Sequence, residues 1–192
     1  THKNTSWDVA RFEVAGHKWA DVSEDGFGVS LLNDCKYGHS TDEQSMALTL
    51  LTSSVYPNPD ADKEVHHFTY ALYPHEGDWR DAATPSLAYR LNEPVKAVPG
   101  DASFEPFAAV DAPNVVIEAV KQAEDDNGVI LRAYECYGRR TTARFTVSAP
   151  IQDAKKVNIL EETIGDVQFS DHVIEVTLRP YEIATIRVLA KK

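Results

Sequence analysis

Residues 33–39, Asn-Asp-Cys-Lys-Tyr-Gly-His, gather hydrogen-bonding, titratable and nucleophilic side chains around one glycine. They follow the apolar run "GVSLL" at 28–32, so they read as a loop leaving the end of a strand. Turns favour Asn and Asp but do not need Lys and Tyr beside them. Asp34, Lys36 and Tyr37 together supply an acceptor, a donor-only cation and a phenol that can do both, a set suited to a hydroxyl-rich ligand. For Asp34 and Lys36 the alternative is a salt bridge that only shapes the turn. Cys35 raises a second chemistry, because the neighbouring Lys36 could lower its thiol pKa. Against that stands a small, semi-buried thiol at a strand end.

Elsewhere the candidates are thinner. His66 and His67 are adjacent, and in a strand they would point to opposite faces and could not chelate one metal. His17, His39, His75 and His172 lack the i, i+4 spacing of a helical zinc pair, and there is no CxxC. GxSxG, GxGxxG and Walker patterns are absent. Spacing alone picks no carboxylate pair for glycoside chemistry out of 30 acidic residues. Trp7, Trp19 and Trp79 could stack on sugar rings, although aromatics more commonly anchor packing. Tyr73 and His75 in "YALYPH" could face a pocket or hold a turn. "GRR" at 138–140 reads as a solvated hairpin corner.

The elements that must position these residues are mainly strands. "RFEVA" (11–15), "GVSLLN" (28–33), "MALTLLTS" (46–53) and "HHFTYALY" (66–73) are short runs rich in β-branched and aromatic residues. In "GDWRDAATPSLAYRLN" (77–92), Trp79, Ala83, Leu87 and Leu91 recur every four residues, which predicts one helix near 78–92, with Pro85 limiting it. "EPVKAVPGDASFEP" (93–106) has no periodicity and reads as a connection. Strand patterns then resume at 114–124, 128–138, 142–149, 155–162, 172–180 and 182–191, spaced as in a β-sandwich. "EDDNG" (124–128) predicts a hairpin turn, with Asn127 and Gly128 supplying positive φ. The expected fold is mainly β: residues 1–97 as part of a larger sandwich with one helix, and 98–192 as a smaller C-terminal β-sandwich.

Composition bounds the partners. The 192 residues carry a net charge of −11, which disfavours nucleic acid and anionic membranes. No apolar run approaches the roughly 20 residues of a membrane-spanning helix. Two cysteines mildly favour a reducing compartment. The triplet Asn4-Thr5-Ser6 is a lone glycosylation sequon of little weight. The opening "THKNTSWDVARFEV", without Met, reads as a piece of a longer polypeptide.

Longer motifs add what spacing does not. "NTSWDVARFEVAGHKWADVSEDGFGVSLLNDCKYG" resembles the segment leading into LLNDxKYG in glycoside hydrolase family 38 α-mannosidases, in their cytosolic and bacterial branch. The likeness continues through "VYPNPDADKEVHHFTYALYPHEGDWRDA" and "APNVVIEAVKQAEDDNGVILRAYECYGRR" to "LRPYEIATIRV", nearly the whole chain. The resemblance implies the C-terminal, all-β end of a retaining, zinc-dependent α-mannosidase of the cytoplasm. Zinc, nucleophile and acid/base would sit in an N-terminal catalytic domain of the same polypeptide. This chain would be scaffold and partial pocket wall, with Asp34, Lys36 and Tyr37 as substrate-binding candidates, no catalytic residue and no metal of its own. Implied partners are that catalytic domain and mannosides or oligosaccharides, with a homo-oligomer left open. The competing reading is an autonomous carbohydrate-binding or interaction β-sandwich.

Overall fold

The computed structural model describes residues 5–10, 12–42, 45–101 and 105–191. Asn4 of the Asn-Thr-Ser triplet lies outside the described residues. The chain divides into two compact units, Thr1–Val98 and Pro99–Lys192.

The first unit holds helix α1 (Ser6–Ala10), strands β1 (Val14–Ala15), β2 (Trp19–Glu24), β3 (Phe27–Asn33), β4 (Gly38–Thr41), β5 (Met46–Thr49) and β6 (Tyr70–Glu76), and helix α2 (Thr84–Asn92). They form two antiparallel three-stranded sheets, ordered β1-β4-β5 and β2-β3-β6. A second helix, α1, thus joins the one expected. Residues 66–69 are irregular, and the strand begins at Tyr70. The helix predicted over 78–92 occupies only Thr84–Asn92. Pro85 lacks an N–H and fits a first helical turn, so the helix begins there. Ala83 before it is left-handed, with φ 52°, and residues 79–83 are turns. The Asp78 carboxylate organises those turns by accepting the N–H groups of Arg80 at 2.7 Å and Asp81 at 3.2 Å.

The second unit is a sandwich of nine strands: β7 (Ala108–Val110), β8 (Val115–Gln122), β9 (Val129–Glu135), β10 (Thr141–Val147), β11 (Ile151–Val157), β12 (Thr163–Asp166), β13 (Gln168–Ser170), β14 (Val173–Leu178) and β15 (Ile183–Ala190). One sheet runs β13-β14-β10-β7 and the other β12-β11-β15-β9-β8. Alternation builds the core. Ala143, Phe145 and Val147 of β10 are buried while Thr142, Arg144 and Thr146 face out, and Ile174, Val176 and Leu178 of β14 repeat the pattern. These residues meet Leu131, Ala133, Ala184, Ile186 and Val188 in one cluster.

Two expectations change here. The strand read at 155–162 is Ile151–Val157; beyond it Asn158 accepts the N–H groups of Leu160 at 2.9 Å and Glu162 at 3.0 Å, turning the chain and leaving Ile159 and Leu160 exposed. In the β8–β9 hairpin the positive φ angles fall on Asp126 (59°) and Gly128 (99°), not on Asn127. Asp126 donates its N–H to Ala123 O at 3.0 Å, and Gly128 O accepts from Ala123 N–H at 3.0 Å, closing a longer turn.

Candidate functional site

The loop 34–37 connects β3 to β4, and its frame is set by the residues at its two ends. Asn33, the last residue of β3, is 1% exposed. Its Oδ1 accepts the Lys36 backbone N–H at 2.7 Å, and its Nδ2 lies 3.4 Å from His39 Nε2. His39 is likewise buried, with Nδ1 3.3 Å from the Tyr37 carbonyl. Neighbouring segments grip the same frame. Asn33 N–H donates to Lys18 O at 2.9 Å, and Gly16 N–H to Tyr37 O at 2.9 Å. From α2, Asn92 Nδ2 donates to Asn33 O at 3.0 Å and to Ala88 O at 2.8 Å.

The candidates between these anchors point elsewhere. Asp34 pairs with Thr69, accepting its N–H on Oδ2 at 2.9 Å and donating its own N–H to Thr69 O at 3.2 Å. A hydrogen bond with the Cys35 thiol and the Thr69 N–H together hold the Asp34 carboxyl below its ordinary range. Lys36 Nζ sits 5.0 Å from the Phe68 ring centre. Tyr37 is 54% exposed, with its ring 4.8 Å from that of His17. Lys18 Nζ lies 4.6 Å from the Tyr89 ring centre. Asp34 and Lys36 make no ion pair, which removes the salt-bridge alternative for the turn: Asp34 is spent on Thr69, and Lys36 lies on Phe68. Nor is Cys35 activated. The Asp34 hydrogen bond pushes its thiol pKa up, outweighing the pull of Lys36.

A second polar cluster escaped the sequence reading. The Asp21 carboxylate of β2 accepts from His75 Nε2 at 2.8 Å and from Ser30 Oγ at 2.6 Å, and Ser23 Oγ bonds its other oxygen. Ser30 gives its only hydrogen to Asp21, so the Thr84 hydroxyl at 2.7 Å must donate to Ser30. His75 Nδ1 faces the Glu76 carbonyl at 3.4 Å, so both ring nitrogens donate and the ring is an imidazolium. Burial draws the His75 pKa down, but the Asp21 carboxylate and the carbonyls beyond it raise it by more. Asp21 lies between serine and histidine, so this is not a serine–histidine nucleophile pair. It ties β2, β3 and β6 to the start of α2. Gly28 is required beside it, because a Cβ there would collide with the His75 ring and with Ser23. Of its members only His75 stood out in the sequence, since Asp21 meets Ser30 and His75 across 9 and 54 residues and Ser30 meets Thr84 across 54.

Of the other candidates, Trp7 is 79% exposed. Trp19 packs on Trp79 with ring centres 5.0 Å apart. His66 bonds the Asp62 carbonyl at 2.9 Å. Among the described residues, no three His, Cys, Asp or Glu side chains converge as a metal-ligand set.

Two family models match the chain. The glycosyl hydrolases family 38 C-terminal domain matches residues 1–60, and the glycosyl hydrolases family 38 C-terminal beta sandwich domain matches residues 114–186. The chain is a C-terminal part of glycosyl hydrolase family 38. Among curated relatives it is 41% identical to Alpha-mannosidase 2C1 of Homo sapiens, over 97% of this chain and 19% of that protein. It is 38% identical to Alpha-mannosidase G of Dictyostelium discoideum, over 99% of this chain and 18% of that protein, and 37% identical to Alpha-mannosidase of Saccharomyces cerevisiae, over 98% and 20%. It therefore spans about a fifth of the length of these relatives. A crystal structure of a family 38 protein from Enterococcus faecalis shares the fold, with a TM-score of 0.69 at 19% identity over 91% of this chain and 22% of that one. Within the family 38 chain, the 33–39 loop falls inside the first matched segment and Glu135 inside the second.

Glu135 shows what a polar cluster looks like when it is structural. It is fully buried at the end of β9. It accepts from Asn114 Nδ2 at 2.8 Å and from the N–H groups of Tyr137 at 2.8 Å, Gly138 at 2.8 Å and Tyr181 at 3.0 Å. Burial raises its pKa, yet these donors bring it below the ordinary glutamate range. Its acceptor capacity is consumed inside the sandwich. The 33–39 loop differs, because there buried Asn33 and His39 bind backbone and each other, while Tyr37 is exposed and Lys36 is half-buried with its ammonium over Phe68.

Proposed function

We propose that this chain is the scaffold and partial substrate-pocket wall of an enzyme that hydrolyses terminal α-D-mannosidic bonds. The observation that carries the reading is the 34–37 loop. A half-buried lysine, its ammonium over Phe68, and an exposed phenol sit on a backbone fixed by buried Asn33 and His39. Lys36 offers donors without acceptors, suited to a sugar hydroxyl or to a carboxylate of the catalytic portion. Tyr37 adds a wall and one further hydrogen bond. Asp34 supports from behind by pinning Thr69. The names of the curated relatives support the mannosidic substrate class.

Retaining, zinc-dependent chemistry belongs in this reading to an N-terminal catalytic domain of the parent polypeptide. Zinc there would orient sugar hydroxyls. The described residues of this chain offer zinc no ligand set. The substrates are mannosides or oligosaccharides, and the setting is the cytoplasm; no helix of the described residues is long and apolar enough to cross a membrane. Losing one polar ligand contact costs about 1–3 kcal/mol, roughly ten- to a hundred-fold in kcat/KM. Lys36→Ala in the full-length enzyme should fall in that range, chiefly through KM, with zinc content and folding intact. Full activity with unchanged KM would reduce the loop to a polar turn.

A further inference from the structure

The bonding around the 34–37 loop leaves few choices for its hydrogens. The Lys36 backbone N–H can only donate, so the Asn33 atom 2.7 Å away is the amide oxygen. The Asn33 NH2 therefore faces His39 Nε2, 3.4 Å away, and that nitrogen must accept. The Tyr37 carbonyl can only accept, so His39 Nδ1, 3.3 Å away, carries the ring hydrogen. In this network His39 donates from Nδ1 and accepts at Nε2. The chain of bonds runs Lys36 N–H to Asn33, Asn33 to His39, and His39 to Tyr37 O. It links the backbones of Lys36 and Tyr37 through two side chains that are 1% and 2% exposed. Neither buried side chain faces solvent or a ligand. Asn92 completes the frame: one hydrogen of its amide returns to its own helix at Ala88 O, and the other holds the carbonyl of Asn33.

We propose that Asn33 and His39 are positioning residues for the sugar-facing side of this loop, acting through Lys36. The inference rests on the pocket-wall reading above. Physically, the Lys36 ammonium ends a long side chain whose root must be fixed before its tip can favour one hydroxyl. Without the Asn33 and His39 links, residues 34–37 keep the flanking bonds from Gly16 and Thr69, the Cys35 thiol bond to His67 O, and the ring contacts of Lys36 with Phe68 and Tyr37 with His17. The ordering of the loop must then come from ligand binding, which weakens it.

The test is a double-mutant cycle in the full-length enzyme with an aryl α-mannoside. Asn33→Ala and His39→Leu should each raise KM about tenfold with kcat within about twofold. In a Lys36→Ala background, neither should add more than about twofold, because the residue they act through is gone. A substitution that merely unfolds part of the enzyme would instead lower kcat by the same factor in both backgrounds. If the buried variants do not fold, Asn92→Ala, which leaves the Asn33–His39 pair in place, takes over. Its smaller KM rise must likewise vanish in the Lys36→Ala background. Losses that multiply in the double variants, or an unchanged KM in all three single variants, would overturn the proposal. If Lys36→Ala itself leaves KM unchanged, the pocket-wall reading has failed. If Lys36→Ala raises KM while the cycles are additive, only the positioning inference has failed.

Discussion

The two units solve the same problem with different materials. In the second, seven of the nine strands contribute residues to one apolar cluster that includes Phe145, Leu131 and Ile186, or pack residues against it. In the first, the buried hydrophobic side chains among the described residues are Leu31, Leu32 and Ala88, while Ser30, Asn33, His39, His75 and Thr84 are buried polar groups. The second unit closes on apolar area; the first is held by hydrogen bonds that converge on Asp21 and Asn33. Apolar cohesion is tolerant of detail, whereas buried polar networks fix geometry and cost heavily when incomplete. On the pocket-wall reading, a loop that presents Lys36 at one place is better served by the second kind of interior.

The sharpest way to break this comparison is to separate the units. Residues 99–192 expressed alone should unfold in one cooperative transition. Residues 1–98 should not, because they have little apolar core and the unpaired sheet edges of β2 and β6. Calorimetry of the two pieces decides it, and a sharp transition for 1–98 with a molten 99–192 would reverse the contrast. Within the second unit, Phe145→Ala should cost about 3–5 kcal/mol from lost burial and a residual cavity. Glu135→Gln should cost about 2–3 kcal/mol by leaving some of its donors unpaired. Denaturant melts measure both, and a larger loss from Glu135→Gln would mean the second unit also depends mainly on a polar node.

Those two residues also show what the sequence could and could not reveal. Phe145 was legible because β10 alternates strictly, and one inward face can be read from one strand. The helix stripe through Trp79 misled, because a four-residue spacing also occurs in turns, and Pro85 decides where a helix can start. The Asp34–Lys36–Tyr37 loop was visible from its residue types alone. Its frame was not, because Asn92 lies 59 residues from Asn33 and Thr69 lies 35 from Asp34. The Asp21–His75 pair was hidden for the same reason, since no local pattern marks partners 54 residues apart. Long-range polar pairs follow register, and register is set by packing.

A smaller effect separates the units by pH. His75 has a pKa raised above its unfolded value, so its contribution is complete below about pH 6.5 and is lost as pH rises through the folded value. Glu182 is drawn up by burial but lowered further by Lys156, 2.8 Å away, and by Arg179, to about 2. Its contribution is complete above the unfolded glutamate value of about 4.3 and is lost as pH falls toward about 2. Amide protection factors, which remove the intrinsic pH dependence of exchange, should therefore fall first around His75 in residues 1–98 on moving to mildly alkaline pH, and around Glu182 in 99–192 on moving toward pH 2. His75→Gln should flatten the alkaline response of the first unit. The same order of opening in both directions would break the contrast.

On the proposed function this chain builds part of a mannoside pocket and none of the bond-breaking machinery. That division is tested by an assay of the purified 192-residue chain on an aryl α-mannoside, with and without added zinc. No turnover above background is expected in either condition. Turnover by material free of full-length enzyme would refute the division.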